Sequence, residues 1–198
     1  MASDPSFSRS AGPRPNMRIR PATPADVPTI IALSQQAESA AQWSEAAYQE
    51  IVAKEPDDSI PRRLILVIED LVIEEREIRG FLVAKAVERE WELENIAIAA
   101  SSRRQGLAIR LLTEFLDLIR RENAECVYLE VRQSNRAALA LYKKLSFVEA
   151  GRRPSYYQHP QEDAILYKFD FKCIRRNARF CTKFGHGKHR SGPEWHLS

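Results

Sequence analysis

Residues 91–108, WELENIAIAASSRRQGLA, decide how this chain is read. They begin as an apolar, strand-like run from Trp91 to Ala100, break at the glycine of RRQGLA (103–108), and lead into an amphipathic helix from Leu107 to Glu122. A strand that stops at glycine and opens a helix leaves several backbone N–H groups unpaired at the positive end of the helix dipole. That is a seat for a diphosphate. Gly106 and Ala108 keep the main chain approachable, and Arg103 and Arg104 add charge beside it. A plain strand-to-helix turn fits the same six residues, so the flanking sequence has to choose.

Outward from the loop, the helix carries Leu107, Leu111, Leu112, Phe115, Leu116 and Ile119 on one face at helical spacing. Upstream, MRIRPAT (17–23) reads as a short strand, and Thr23-Pro24 caps a helix running to Ala37. Ser44 caps a second helix to about Ala53. RLILVIED (63–70) is a strand, EERE (74–77) an acidic turn, and Ile78 to Val87 the returning partner. Downstream come a strand at Cys126–Arg132, a helix at about Asn135–Leu145, and strands at Phe147–Arg152 and Asp163–Phe171. Four strands, a helix, a strand, a helix and two strands predict an α/β (α+β) architecture with helices flanking a mixed sheet.

The chain has 198 residues, 44% of them hydrophobic, enough for one core. Residues 1–16, rich in Ser, Pro and Gly, read as a disordered leader, and 17–171 as the folded domain. Neither a signal peptide nor a membrane span is legible, so the expected address is the cytoplasm. Three cysteines, Cys126, Cys173 and Cys181, predict free thiols rather than a disulfide framework. The net charge of +3 divides into +6 on the basic tail 172–198 and −3 on everything before it. Cys173, Cys181, His186 and His189 in that tail lack the close Cys pair of a zinc module, so no metal is expected. Its basic residues, interleaved with Phe180, Phe184 and Trp195, suit contact with RNA or the ribosome, or a solvated disordered tail.

Three segments in order carry a family resemblance: Arg103, Gly106 and Ala108 in a (Q/R)xxGx(G/A) loop, then YLEVRQSNRAALALYKKLSF (128–147), then GRRPSYYQHPQEDAILYKF (151–169). The chain resembles the GNAT superfamily of acetyltransferases, and within it the bacterial ribosomal-protein alanine N-acetyltransferases, over about Met17 to Phe171. The resemblance implies the GNAT fold, a central sheet of about seven strands with about four helices. It also implies acetyl-CoA as cosubstrate, held by Arg103, Arg104, Gln105, Gly106, Leu107 and Ala108 at the pyrophosphate, by the main chain of Ile96, Ala97 and Ile98 along the pantetheine, and by Asn135. The implied acceptor is a protein N-terminus, and the implied activity is transfer of acetyl to its amine without metal or covalent intermediate.

Glu130 lies in CVYLEVR, where Val127, Leu129 and Val131 share one face and Tyr128 and Glu130 the other. A carboxylate in so apolar a run is wet, paired or used. Pairing with Arg132 or Arg136 is one reading; the other, implied by the resemblance, is the base that takes the amine's proton. Tyr142 falls on the helix stripe Ala138, Leu141, Tyr142, Leu145 and therefore packs in the core. Its distance of twelve residues from Glu130 matches the family's interval between base and acid, which implies a proton donor to the leaving thiolate.

Asn135 is also the natural N-cap of its helix. Trp43, Tyr156 and Tyr157 stand where the resemblance places the walls of a peptide groove; the two tyrosines fit groove and packing equally, while packing is favoured for Trp43. Ser146 replaces the usual glycine of Leu-Gly-Phe, which costs about 1 kcal/mol if the residue needs a positive φ. Two other functions remain open from the sequence: acetylation of a small-molecule amine, and an RNA- or ribosome-binding module working through the tail.

Overall fold

The stripe expected after the glycine turn becomes the spine of one half of the core. In the computed structural model, which describes residues 17–37, 43–53, 62–72 and 75–172, helix α3 spans Leu107–Arg121, and its six stripe residues are all buried. Burial of a Leu or Phe of this kind contributes about 1.5–3 kcal/mol, so this helix is a principal anchor on one face of the sheet. Residues 1–16, residues 54–61 and the tail from Cys173 onward, with its candidate zinc and RNA-contact residues, lie outside the described residues.

The other elements are β1 (Met17–Pro21), α1 (Val27–Gln35), α2 (Glu45–Ala53), β2 (Arg62–Val72), β3 (Glu75–Val87), β4 (Glu90–Ile98), β5 (Cys126–Arg132), α4 (Arg136–Lys144), β6 (Val148–Gln158) and β7 (Gln161–Asp170). They form a seven-stranded sheet in the order β1-β2-β3-β4-β5-β7-β6, antiparallel except for the parallel pair β4–β5. Helices α3 and α4 lie over one face. On the other, α1 and α2 bury Val27, Ile30, Leu33 and Tyr48 against Ile65, Val67, Phe81, Val83 and Ala97.

Several boundaries differ from the sequence reading, among them the acidic turn expected at 74–77, since β3 already begins at Glu75 and pairs with the end of β2. The helix expected from Pro24 is a 3-10 turn at Pro24–Asp26 followed by α1, because Pro28 has no N–H to return to the Pro24 carbonyl. The strand expected to reach Ala100 stops at Ile98 and closes in a 3-10 turn at Ala100–Ser102. The strand expected to end at Arg152 continues through Pro154 to Gln158. β6 can hold a proline because it is the sheet's edge.

Ser44 caps α2 as expected, its Oγ accepting from the Ala47 N–H at 3.2 Å. Cys126 is a buried free thiol, pushed up to about 11 mainly by burial and so inert. Among the described residues, no helix is long and apolar enough to cross a membrane, and no group of acids, cysteines and histidines could hold a metal ion.

Candidate active site

β4 and β5 pair only at their beginnings, Glu90–Leu93 against Cys126–Leu129. Beyond Leu93, β4 is bonded to β3 alone, and beyond Leu129, β5 is bonded to β7 alone. The strands part at a bulge: Leu93 faces Ala84 and Asn95 faces Val83, which leaves Glu94 without a counterpart. An extra residue bends its strand and resets the alternation of faces. Trp91 and Leu93 therefore share the α3 side with Ile96 and Ile98, while Ala97 joins the α1–α2 core. Gly80 permits β4 to lie where it does, since a Cβ there would come within 2.7 Å of the Ala97 carbonyl oxygen and strike the Ile98 side chain.

The resulting wedge opens at the C-terminal ends of two parallel strands, the end at which α3 and α4 begin. Open α/β sheets bind ligands at such a place. Ile96, Ala97 and Ile98 form one side, their side chains buried or half-buried and their main chain unpaired towards β5.

At the N-terminus of α3, Gly106 takes φ +80°, a conformation glycine adopts freely, and no heavy atom lies within 4 Å of where its Cβ would be. The helix has no side-chain cap, and its first internal bond runs from the Arg110 N–H to the Gly106 carbonyl. The N–H groups of Leu107, Ala108 and Ile109 thus have no partner within the helix. Arg103, Arg104 and Gln105 are exposed; Arg103 Nε donates to the Ile98 carbonyl at 3.3 Å and Gln105 Nε2 to the Ser101 carbonyl at 3.3 Å. Leu107 offers the site only its backbone, because its side chain is core. Loop, strand edge and uncapped helix end fit a pyrophosphate with an extended amide arm. α4 is capped differently: Asn135 Oδ1 accepts from the Ala138 N–H at 3.0 Å, as expected.

Glu130 projects from β5 just where the strands part. Its carboxylate pairs with Arg153, Nε to Oε1 at 3.1 Å, not with Arg132 or Arg136 as the sequence offered. Arg132 is engaged elsewhere, bonded to Glu162 at 2.8 Å and stacked 4.0 Å from the Tyr157 ring. On the neighbouring strand Glu92 has a carboxyl raised above its usual value, chiefly by burial, then by the charges of Glu94 and Glu130. Glu94 itself is held by Arg63 in a two-point bridge of 3.0 and 3.1 Å.

Tyr156 and Tyr157 lie in β6 rather than between strands, at a register break between Arg153 and Tyr157 where Ser155 has φ +52°. The irregularity brings both rings to Glu130, and they meet edge to face at 5.1 Å. Burial and then the Glu130 charge raise both phenols, Tyr157 to about 12. Tyr142 is buried against Phe147 and Tyr167, its phenol pushed well up by burial and then by Tyr157. Tyr157 thus lies near both Glu130 and Tyr142.

Trp43 packs 5.5 Å from Tyr48 and beneath the Arg63 guanidinium at 5.6 Å, the packing role favoured for it. Arg153 and Glu92 escaped the sequence reading. Glu92 carried the signal that marked Glu130, a carboxylate alternating with apolar residues; Arg153 carried none, because it reaches Glu130 across β7 from an edge strand whose register shifts between Glu149 and Gly151.

Residues 30–147 match the model of the acetyltransferase (GNAT) family. The chain belongs to that family. It is 40% identical over 89 residues to the [ribosomal protein bS18]-alanine N-acetyltransferase of Escherichia coli K12, a stretch covering 44% of this chain and 60% of the relative. It is 40% identical over 81 residues to the N-alpha-acetyltransferase RimI of Mycobacterium tuberculosis, 41% of this chain and 49% of that one. The matched stretches thus span about half to three-fifths of these curated relatives. The crystal structure of the ribosomal-protein-S18-alanine N-acetyltransferase from E. coli superimposes with a TM-score of 0.65 at 30% identity, covering 78% of this chain and 93% of that one. The GNAT fold expected from the sequence is borne out.

Proposed function

We propose that this member of the family transfers acetyl from acetyl-CoA to the N-terminal amine of a protein, an alanine of a small-subunit ribosomal protein fitting best. The observation that carries the reading is the wedge between β4 and β5, with an uncapped α3 N-terminus at one side and Glu130 at the other. The names of the two E. coli proteins above, which specify alanine N-acetylation, and that of the M. tuberculosis relative, an N-alpha-acetyltransferase, support the choice of acceptor.

In this reading the N–H groups at Gly106–Ala108, with Arg103 and Arg104, hold the diphosphate, and the free edge of Ile96–Ile98 aligns the amide arm. Asn135, while capping α4, lines the cofactor's path. Glu130, directly or through a water, takes a proton from the acceptor's ammonium so that a neutral amine attacks the thioester carbon. Glu130 passes that proton on to solvent; the carbon–nitrogen bond forms as the carbon–sulfur bond breaks, Glu130 takes the nitrogen's second proton, and Tyr142 gives its proton to the departing sulfur and is reprotonated from solvent. Tyr156 and Tyr157 wall the acceptor's first residue.

Mass spectrometry of a peptide with N-terminal alanine, incubated with acetyl-CoA and the protein, tests the proposal. One acetyl on the α-amine is expected, with Glu130→Gln slower by about a hundredfold. Transfer only to lysine or to small polyamines, or a Glu130→Gln variant at full speed, would overturn it.

A further inference from the structure

Glu130 can receive a proton from an ammonium only if one of its oxygens faces that ammonium, yet Arg153 holds Oε1 and the Tyr156 hydroxyl also donates a hydrogen bond to the carboxylate. The guanidinium lies on the acceptor side of the wedge, among Glu130, Glu92 and the face of Tyr156, whose ring centroid is 5.4 Å from its central carbon. A carboxylate beside an aromatic face is what a primary ammonium seeks. We propose that Arg153 stands in for the acceptor's ammonium while the site is free of acceptor, so that binding exchanges one cation for another on Glu130. This rests on the function proposed above and deepens it, for it names the residue that sets the acceptor's affinity.

The way Arg153 is held supports an exchange. Arg132, two strands away on β5, is locked by its short bridge to Glu162 and its close stack on Tyr157, with its side chain only 21% exposed. Arg153 has a single nitrogen at 3.1 Å, a looser ring contact and a side chain 40% exposed. A half-exposed pair of this kind is weakly bound, and a long arginine on an edge strand can swing into water without disturbing the sheet. Once it leaves, Glu92 and Glu130 confront the incoming cation together, while Lys85 still acts on Glu92 from β3 and Glu94 stays with Arg63. The arrangement selects against neutral acceptors: a group without positive charge cannot replace the guanidinium it displaces.

Steady-state kinetics with an alanine-initiated peptide, on the full chain and its Arg153→Gln and Arg153→Lys variants, test this. With Gln, the peptide KM should fall by roughly two- to fivefold, the worth of an exposed ion pair, while kcat stays within about twofold. With Lys, KM should remain near that of the parent. Calorimetry in the presence of coenzyme A should show the same gain for the peptide and none for its desamino counterpart. A Gln variant with raised or unchanged KM, or a Lys variant that behaves like Gln, would overturn the inference and leave the proposed function standing. A parent protein that acetylates no peptide amine would bring down both.

Discussion

Tyr142 combines two roles that one substitution separates. Phenylalanine keeps the ring against Phe147 and Tyr167 and removes only the hydroxyl. Tyr142→Phe should fold with near-parental stability and bind acetyl-CoA, but lose about tenfold to a thousandfold in kcat. A thioester with a more acidic thiol should restore much of that loss, since its thiolate departs without a proton; equal slowness with both thioesters would assign the hydroxyl to ordering the site. Alternation on a strand and a stripe on a helix fixed which way Glu130 and Tyr142 point, while their roles as base and acid were implied only by the family resemblance. Arg153 was not legible, because it reaches Glu130 across β7 from an edge strand whose register has already shifted between Glu149 and Gly151, which no periodicity announces. Tyr156 and Tyr157 stayed ambiguous until the register break between Arg153 and Tyr157 turned both rings towards Glu130.

The end of α4 is an element-scale case in which one residue works against its own turn. The Phe147 N–H donates to the Tyr142 carbonyl at 3.0 Å and the Ser146 N–H to the Lys143 carbonyl at 3.1 Å, with Ser146 at φ +66°. These two bonds, with the Tyr142–Phe147 ring contact, form a Schellman close whose left-handed position glycine occupies best. Ser146→Gly should therefore stabilise the protein by about 1 kcal/mol, raising Tm by roughly 2–4 °C, with kinetics unchanged. A calorimetric scan showing no rise would mean that the serine gains an offsetting contact. Most elements were legible at this scale: Cys126–Arg132 came out with both ends correct, and α3 nearly so. The errors fall where tertiary context overrides local chemistry, as with Pro154, tolerated on an edge strand, and Pro28, which splits a helix into a 3-10 turn and α1.

Across the whole molecule, the first strand is tied down by charge as well as by pairing. Arg20 bridges Asp26 at 2.6 and 2.9 Å and the fully buried Glu69 at 2.8 and 3.0 Å, so β1, the turn before α1 and β2 share one knot. Arg20→Met would strand both carboxylates and should cost about 3–5 kcal/mol in urea denaturation at pH 7. Burial opposes the charge on Asp26, but Arg20 and both the N–H and hydroxyl of Thr23 outweigh it, and the carboxyl lies below its usual value. A depressed folded-state value adds stability that is complete above the unfolded value, near pH 4, and is lost as pH falls through the folded one. The parent's urea midpoint should accordingly hold steady from pH 7 towards pH 5 as far as this group is concerned, and begin to fall only below about pH 4. The parting of β4 and β5 bears on the molecule's company as well as its chemistry. A free strand edge ordinarily invites any passing strand to zip onto it. Here the two free edges face each other inside one sheet and converge to a closed corner at Leu93 and Leu129. Such a slot accepts a slender thread entering from its open end and turns away a second sheet, so the backbone bonds left unmade are kept from indiscriminate partners by shape alone.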